Sequence, residues 1–298
     1  MNKIKTIVIS GGTHGNELTG VQLIKKWSAN PALYKEKVKG IEVEAVLVNP
    51  AAAAVCKRYV DYDLNRSFAR HMLSGSPNSL NAEWNRAQEL NQLYGPKGNS
   101  TKTDLILDVH NTEANMGVCL ILSEKNDFTK RASAELVNEF PGTYIYHQPE
   151  ERESSSYFGT IARADVCIEV GPQSHGTIRA SLFERAEQVV YRYLELAMEW
   201  NQGLLQDKSK KQVSVYTHHK DIDYPRDSAG NISAMIHPQL QNADYTELKS
   251  GDPLFRSFDG KDIVYDKNYS VWPIFINEAA YYEKKIAMSL TLKTTEVW

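Results

Sequence analysis

The order of apolar and polar positions predicts alternating strands and helices over the first two hundred of the 298 residues. Short β-branched or continuous apolar runs, typical of buried strands, cover residues 4–10, 41–49, 104–110, 117–122, 144–146 and 166–170. Apolar residues recur at helical spacing over residues 17–27, 82–94, 126–140 and 178–200. Strands that alternate with helices in this way predict an α/β domain with helices on both faces of its sheet.

The last ninety residues follow a different pattern. A polar, charged stretch at residues 206–211 is the candidate linker. Beyond it, residues 213–218 alternate, Asp259-Gly260 is a hairpin signal, and residues 265–276 are rich in aromatic and β-branched side chains. We therefore expect an α/β domain over residues 1–205 and a smaller β-rich domain over residues 206–298.

Composition and charge narrow the class of protein. Hydrophobic residues make up 42% and charged residues 24%, a globular composition, and the net charge of −3 argues against nucleic acid or an anionic membrane as a partner. No apolar stretch reaches the roughly 18–20 residues that span a bilayer, and the first residues lack a signal-peptide pattern. Three cysteines without a C-x-x-C pair favour a reducing cytoplasm.

The first motif with chemical content follows the first predicted strand. His14 and Glu17 lie three residues apart in GGTHGNE, at the strand end where α/β sheets place their sites. An imidazole and a carboxylate so spaced can reach one metal ion. The alternative is a glycine-rich turn whose glutamate is stabilised by the helix dipole.

A second histidine makes the metal interpretation stronger. His110 ends another apolar strand, in DVHN, where it can also be a structural residue at the edge of the core. Together, His14, Glu17 and His110 form the two-histidine, one-carboxylate set of catalytic zinc, which leaves a position open for water. We therefore expect one Zn²⁺ per chain at these three residues.

Two further features have both a catalytic and a structural interpretation. Glu169 interrupts an apolar strand just before Gly171-Pro172, where a carboxylate is costly to bury unless it is paired or functional. It suits a general base beside a metal, or else a structural salt bridge. The stretch RYVDYDLNR places Arg58 and Arg66 near each other, for carboxylate and oxyanion recognition or as a charged surface turn.

Five segments in order, GGTHGNELTG, RYVDYDLNRSF, DVHNT, IEVGPQ and INEAAYYEKK, resemble the aspartoacylase family. This family comprises aspartoacylase and aminoacylase-3, and the resemblance spans residues 11–285. It implies a zinc carboxypeptidase-like mixed sheet flanked by helices, with the β-rich C-terminal domain capping the active-site entrance. It also implies hydrolysis of a small anionic N-acyl-amino acid, with N-acetyl-aspartate giving acetate and aspartate, and suggests a homo-oligomer.

The resemblance assigns a role to individual residues of this chain. The implied zinc ligands are His14, Glu17 and His110, the catalytic residues are Glu169 and Arg58, and the substrate-binding residues are Asn65, Arg66 and Tyr281. Glu169 would shuttle the proton and Arg58 would stabilise the oxyanion. Asn65 and Arg66 would bind the substrate α-carboxylate, and Tyr281 would reach the substrate from the C-terminal segment.

The chain departs from the family pattern at one place. Aspartoacylase has a tyrosine and an arginine upstream of the IEVGP strand, and the arginine contacts the aspartate side-chain carboxylate. An ungapped match places Ser155 and Gly159 there, although a small gap would bring Tyr157, Arg152 or Arg163 into place. Three alternative functions therefore stay open. They are an N-acyl-aromatic-amino-acid deacylase, a succinylglutamate-desuccinylase-like amidase or small carboxypeptidase, and a zinc-stabilised binding protein without turnover.

Overall fold

The computed structural model describes residues 3–74 and 81–298. Its strands are β1 (Thr6–Gly11), β2 (Glu42–Leu47), β3 (Leu105–Asn111), β4 (Gly117–Leu122), β5 (Thr143–His147), β6 (Ala164–Gly171), β7 (Gln212–Ile222), β8 (Ala234–Ile236), β9 (Pro253–Ser257), β10 (Asp262–Val264), β11 (Trp272–Ile274) and β12 (Met288–Val297). Its α-helices are α1 (Leu18–Ala29), α2 (Ala32–Lys35), α3 (Pro50–Ala54), α4 (Arg70–Leu73), α5 (Ala82–Tyr94), α6 (Asp127–Glu139), α7 (Ala180–Asn201) and α8 (Leu204–Asp207). Three 3-10 turns cover Leu64–Arg66, Phe158–Ile161 and Ala279–Lys284.

A large mixed sheet forms the centre of the described structure. Its strand order is β11-β12-β7-β5-β4-β6-β3-β1-β2. Strands β2, β1, β3 and β6 run parallel to one another, and β4 pairs antiparallel with β6. Because β1, β3 and β6 are parallel neighbours, their carboxyl ends meet at one edge, where His14, His110 and Glu169 were expected to lie.

The strand side chains alternate between two helical layers. On β3, Leu105 and Leu107 pack in the core formed with α1, α6 and α7, whereas Ile106 belongs to the core formed with α5 on the opposite face. This period of two is the geometry of an extended strand buried on both sides. The expectation of helices on both sheet faces is confirmed.

The last ninety residues contribute to two sheets. Strand β7 pairs parallel with β5, and β12 pairs antiparallel with β7, so both extend the large sheet. Strands β8, β9 and β10 form a separate antiparallel sheet, with the expected hairpin at Asp259-Gly260 between β9 and β10. Within residues 265–276, whose aromatic and β-branched content supported the β-rich prediction, the structure has one strand, β11. Of the aromatic residues in this range, Tyr265 packs in the core beside the small sheet, whereas Trp272 and Phe275 pack against strands of the large sheet.

In the described ranges, no helix combines the length and apolar character needed to cross a membrane. The chain's three cysteines are free thiols, as expected from their number and spacing.

Candidate active site

The turn after β1 positions two of the three predicted metal ligands. A Cβ at Gly11 would lie 2.6 Å from the carbonyl oxygen of Gly20 in α1, so the missing side chain lets the helix pack closely against the strand end. Gly12 adopts a φ of +67°, a conformation that costs glycine little. This close turn brings His14 and Glu17 into the interior, where both side chains are buried.

Glu17 lies between two imidazoles. Its Oε1 is 2.6 Å from His14 Nδ1, and its Oε2 is 2.8 Å from His110 Nδ1. One ligand atom of each residue lies within 4.8 Å of the others. Two imidazoles and one carboxylate, brought together from two strand ends, are a donor set that suits a zinc ion with an open position. The residues present therefore fit the metal that the sequence predicts.

A buried carboxylate stands behind each of the two histidines. His14 Nε2 is 3.1 Å from Asp63 Oδ1, and His110 Nε2 is 2.7 Å from Asp108 Oδ2. Such partners fix the orientation and tautomer of metal-binding imidazoles. Burial alone would raise the pKa of Asp63, but His14 and Arg58 hold it below the usual range. Neither aspartate is among the predicted site residues, although Asp63 lies in RYVDYDLNR and Asp108 in DVHN.

Arg58 lies in the cavity wall beside the cluster. Its guanidinium nitrogens are 3.4 Å from Glu17 Oε1 and 3.3 Å from Asp63 Oδ2. Its side chain is 17% exposed, so the surface-turn alternative does not describe this residue.

The 3-10 turn Leu64–Arg66 carries the two residues expected to bind a carboxylate. Asp63 caps this turn through Asn65 N, at 3.0 Å. Asn65 Oδ1 accepts a hydrogen bond from Phe158 N at 2.9 Å, and the Arg66 guanidinium lies 4.4 Å from the centre of the Tyr157 ring. These contacts hold both side chains at the cavity wall.

Glu169 lies directly opposite His110 in the β3–β6 register and is buried. Burial raises its pKa to about 8, and the negative charges of Glu17 and Glu278 act in the same direction, against His110 and Arg58. A carboxyl group whose pKa lies near neutral pH can both accept and return a proton during a reaction.

The C-terminal segment reaches the same cavity. Tyr281 lies on the 3-10 turn Ala279–Lys284 and packs against Phe275, with ring centres 5.3 Å apart. Glu278 anchors this segment, because its Oε2 accepts a hydrogen bond from Glu113 N at 2.8 Å and another from the Thr112 hydroxyl. Glu278 is not among the predicted site residues.

A histidine that the sequence analysis did not single out also lines the cavity. His175 belongs to a second group of potential metal-ligating side chains, with Glu113 and Glu278. Its Nε2 is 3.8 Å from Glu278 Oε1.

One cavity joins these residues. All eight predicted site residues line it: His14, Glu17, Arg58, Asn65, Arg66, His110, Glu169 and Tyr281. The cavity continues along the β6 face away from the histidines into what we call the far lobe, lined by Ser123, Glu150, Tyr157, Gly159, Asp165 and Cys167. Of the two positions where the sequence departs from the family pattern, Gly159 lines the cavity and Ser155 lies just behind it.

A buried cluster of two histidines and a carboxylate, lining one cavity together with the further carboxylate of Glu169, is an arrangement that metal-dependent hydrolases use. Comparison with known families makes this assignment more specific. Residues 3–197 match the succinylglutamate desuccinylase/aspartoacylase catalytic domain, and residues 211–293 match the AstE/AspA barrel-sandwich hybrid domain. The chain belongs to the succinylglutamate desuccinylase/aspartoacylase family.

Individual relatives are similar over nearly the whole chain. A probable aspartoacylase of Trichodesmium erythraeum is 42% identical over 293 residues, covering 98% of each chain. An N-acyl-aromatic-L-amino acid amidohydrolase of Mus musculus is 39% identical over 285 residues, covering 94% of this chain and 88% of the relative. The crystal structure of murine aminoacylase 3 superposes with a TM-score of 0.94 at 37% identity, covering 100% of this chain and 98% of that one. The expected family and fold class are confirmed.

Proposed function

We propose that this chain hydrolyses the amide bond of N-acyl amino acids, with a zinc ion bound by His14, Glu17 and His110. The observation that carries the proposal is the shared cavity, which this cluster lines together with Glu169, Arg58, Asn65 and Arg66. When bound, zinc supplies a Lewis acid for the attacking water and the acyl carbonyl. The relatives named aspartoacylase and N-acyl-aromatic-L-amino acid amidohydrolase support the same reaction.

The chain's own residues account for the proton and charge transfers. Glu169 accepts a proton from water as the water oxygen bonds to the acyl carbon. Glu169 then returns the proton to the amide nitrogen as the carbon–nitrogen bond breaks. Arg58 donates hydrogen bonds to the carbonyl oxygen as negative charge develops there. The products are a carboxylic acid and a free amino acid.

Binding groups lie on both parts of the chain. Asn65 and Arg66 bind the substrate α-carboxylate, and Tyr281 contacts the substrate from the C-terminal side. We propose that residues 1–205 form the catalytic domain and residues 206–298 cap the entrance. The homo-oligomer and the cytoplasmic location expected above stay predictions.

An amine-release assay on metal-loaded protein tests the proposal. The panel holds N-acetyl-aspartate, N-acetyl-phenylalanine, succinyl-glutamate and a dipeptide, each assayed with and without a chelator. We expect a free amino acid to be released from an N-acyl compound, with loss of release when the metal is removed. Stoichiometric metal binding without release from any compound would instead favour the non-catalytic binding protein.

A further inference from the structure

The far lobe of the cavity carries two carboxylates, and nearby cations are already engaged. Arg152 donates to Asp165 Oδ1 at 2.5 Å and to the carbonyl oxygens of Gly159 and Ala162. Lys97 Nζ, buried behind the lobe, donates to the Phe68 and Ser155 carbonyl oxygens and to the Thr160 hydroxyl. Neither cation is available to pair with an anionic ligand.

Gly159 cannot be replaced by a longer side chain without a shift of the lobe wall. A Cβ at this position would lie 2.7 Å from both Cβ and Oδ2 of Asp165. The carboxylate of Asp165 therefore occupies the space that a side chain at position 159 would need. Arg163, the remaining arginine near this position in the sequence, is half-exposed beside Asp104 and is not among the cavity residues. Arg152 and Arg163, which a small gap would align with the family's arginine, therefore place no free guanidinium in the lobe.

Glu150 is the carboxylate in the lobe wall that lacks a cationic partner among the described residues. Its oxygens accept hydrogen bonds from the Ser155 hydroxyl at 2.5 Å and from Gln148 Nε2 at 3.3 Å, both neutral donors. No lysine, arginine or histidine in residues 3–74 and 81–298 lies within ion-pair distance of it. A carboxylate held in this way keeps its capacity to pair with a cation that enters the cavity.

We infer that the far lobe binds a cationic side chain, so that the substrate is an Nα-acyl amino acid whose side chain ends in an ammonium group, with Glu150 as its charge partner. The inference rests on the proposed function and specifies its substrate class. The Arg66 guanidinium lies 4.4 Å from the centre of the Tyr157 ring, and Gln148 Nε2 donates to both the Tyr157 hydroxyl and Glu150, so the proposed α-carboxylate site and the cationic subsite are neighbours. An acidic side chain would instead meet the like charge of Glu150, since Arg152 already pairs with Asp165, and this repulsion selects against it.

The test compares side chains that differ in charge. We would measure kcat/KM of the metal-loaded enzyme for Nα-acetyl-lysine, Nα-acetyl-ornithine, N-acetyl-norleucine, N-acetyl-phenylalanine and N-acetyl-aspartate. Norleucine has a four-carbon side chain like that of lysine but lacks the ammonium group, so the lysine-to-norleucine ratio isolates the charge. We expect this ratio to be at least about tenfold, the usual advantage of a charge-assisted hydrogen bond, with aspartate the poorest substrate.

A matched pair of variants assigns the effect to Glu150. Glu150→Gln should lower the lysine-to-norleucine ratio about tenfold, whereas Glu151→Gln, at an exposed neighbouring carboxylate, should leave it unchanged. Competitive inhibition of the wild-type enzyme by free lysine and free norleucine gives the same comparison without any variant.

The possible failures are distinguishable. A wild-type preference for N-acetyl-aspartate or N-acetyl-phenylalanine over Nα-acetyl-lysine, or an unchanged ratio in a folded, metal-loaded Glu150→Gln enzyme, overturns the cationic subsite and leaves the amidohydrolase standing. If the metal-loaded enzyme releases no amino acid from any compound, the proposed function itself fails.

Discussion

The two ends of the cavity differ in how their carboxylates are paired with cations. At the histidine end, the carboxylates of Glu17, Asp63 and Asp108 each contact an imidazole or a guanidinium, and Arg58 faces the same space. At the far lobe, Glu150 contacts only neutral donors among the described residues. Under the proposed function, the histidine end would carry out the hydrolysis and the far lobe would select the substrate.

Loss of the metal should have the largest effect, because it removes the Lewis acid on which the reaction depends. His110→Ala removes one of three ligands and leaves Asp108 without its imidazole partner, so we expect bound zinc to fall from one per chain to near zero. Turnover should fall to the background of the assay. Metal analysis and amine release measure both effects. His219→Ala, at an exposed histidine of β7, is the control that should keep metal and activity. Full turnover in metal-free protein would contradict the proposed centre.

Glu169→Gln separates proton transfer from metal binding. The amide keeps the size of the side chain but cannot accept the proton, so turnover should fall by about 10²–10⁴-fold. Zinc content should stay at one per chain, because Glu169 is not one of the proposed ligands. Glu184→Gln, at an exposed glutamate of α7, serves as the control. Turnover close to wild type in the metal-loaded Glu169→Gln protein would refute the proton-shuttle role.

Arg66→Ala should have a smaller effect that depends on the substrate. Loss of a charged hydrogen-bond partner for the α-carboxylate should lower kcat/KM by about 10–100-fold. The decrease should appear mainly in KM, because this group binds the substrate and does not contact the reacting carbonyl. An N-acyl amine that lacks the α-carboxylate provides the control, and the variant and the wild type should hydrolyse it equally well. An equal loss on both compounds would show that Arg66 acts on the reaction itself.

The two ends also differ in how far the sequence predicts them. His14 and Glu17 follow an apolar strand and His110 lies near the end of another, and parallel strand order brings such ends together, so their meeting could be expected from local pattern. Asp63 and Asp108 belong to the singled-out motifs, but their contacts with the two histidines depend on the folded arrangement of the chain. The pairing of β7 with β5 was missed for the same reason, because hydrophobic pattern does not specify a long-range strand partner.

The far lobe is even less predictable from the sequence, because it is formed by contacts between residues of separate segments. In the sequence, Gly159 is notable only because it stands where aspartoacylase has an arginine. In the structure, the carboxylate of Asp165 fills that space and Arg152 binds it. The lack of a free guanidinium in the lobe therefore follows from tertiary contacts among three residues.

The smallest predicted effect tests how rigid this arrangement is. Gly159→Ala introduces a methyl group 2.7 Å from Asp165 Cβ, closer than real Cβ contacts, so the lobe wall must shift. We expect the free energy of unfolding in urea to fall by about 1–3 kcal/mol, the usual cost of overpacking, while zinc content stays at one per chain. Ser154→Ala, on the exposed part of the same loop, should change stability by less than about 0.5 kcal/mol. Unchanged stability in Gly159→Ala would mean that the wall yields easily, and the far lobe would then discriminate substrates less sharply than the fixed positions of Glu150 and Asp165 imply.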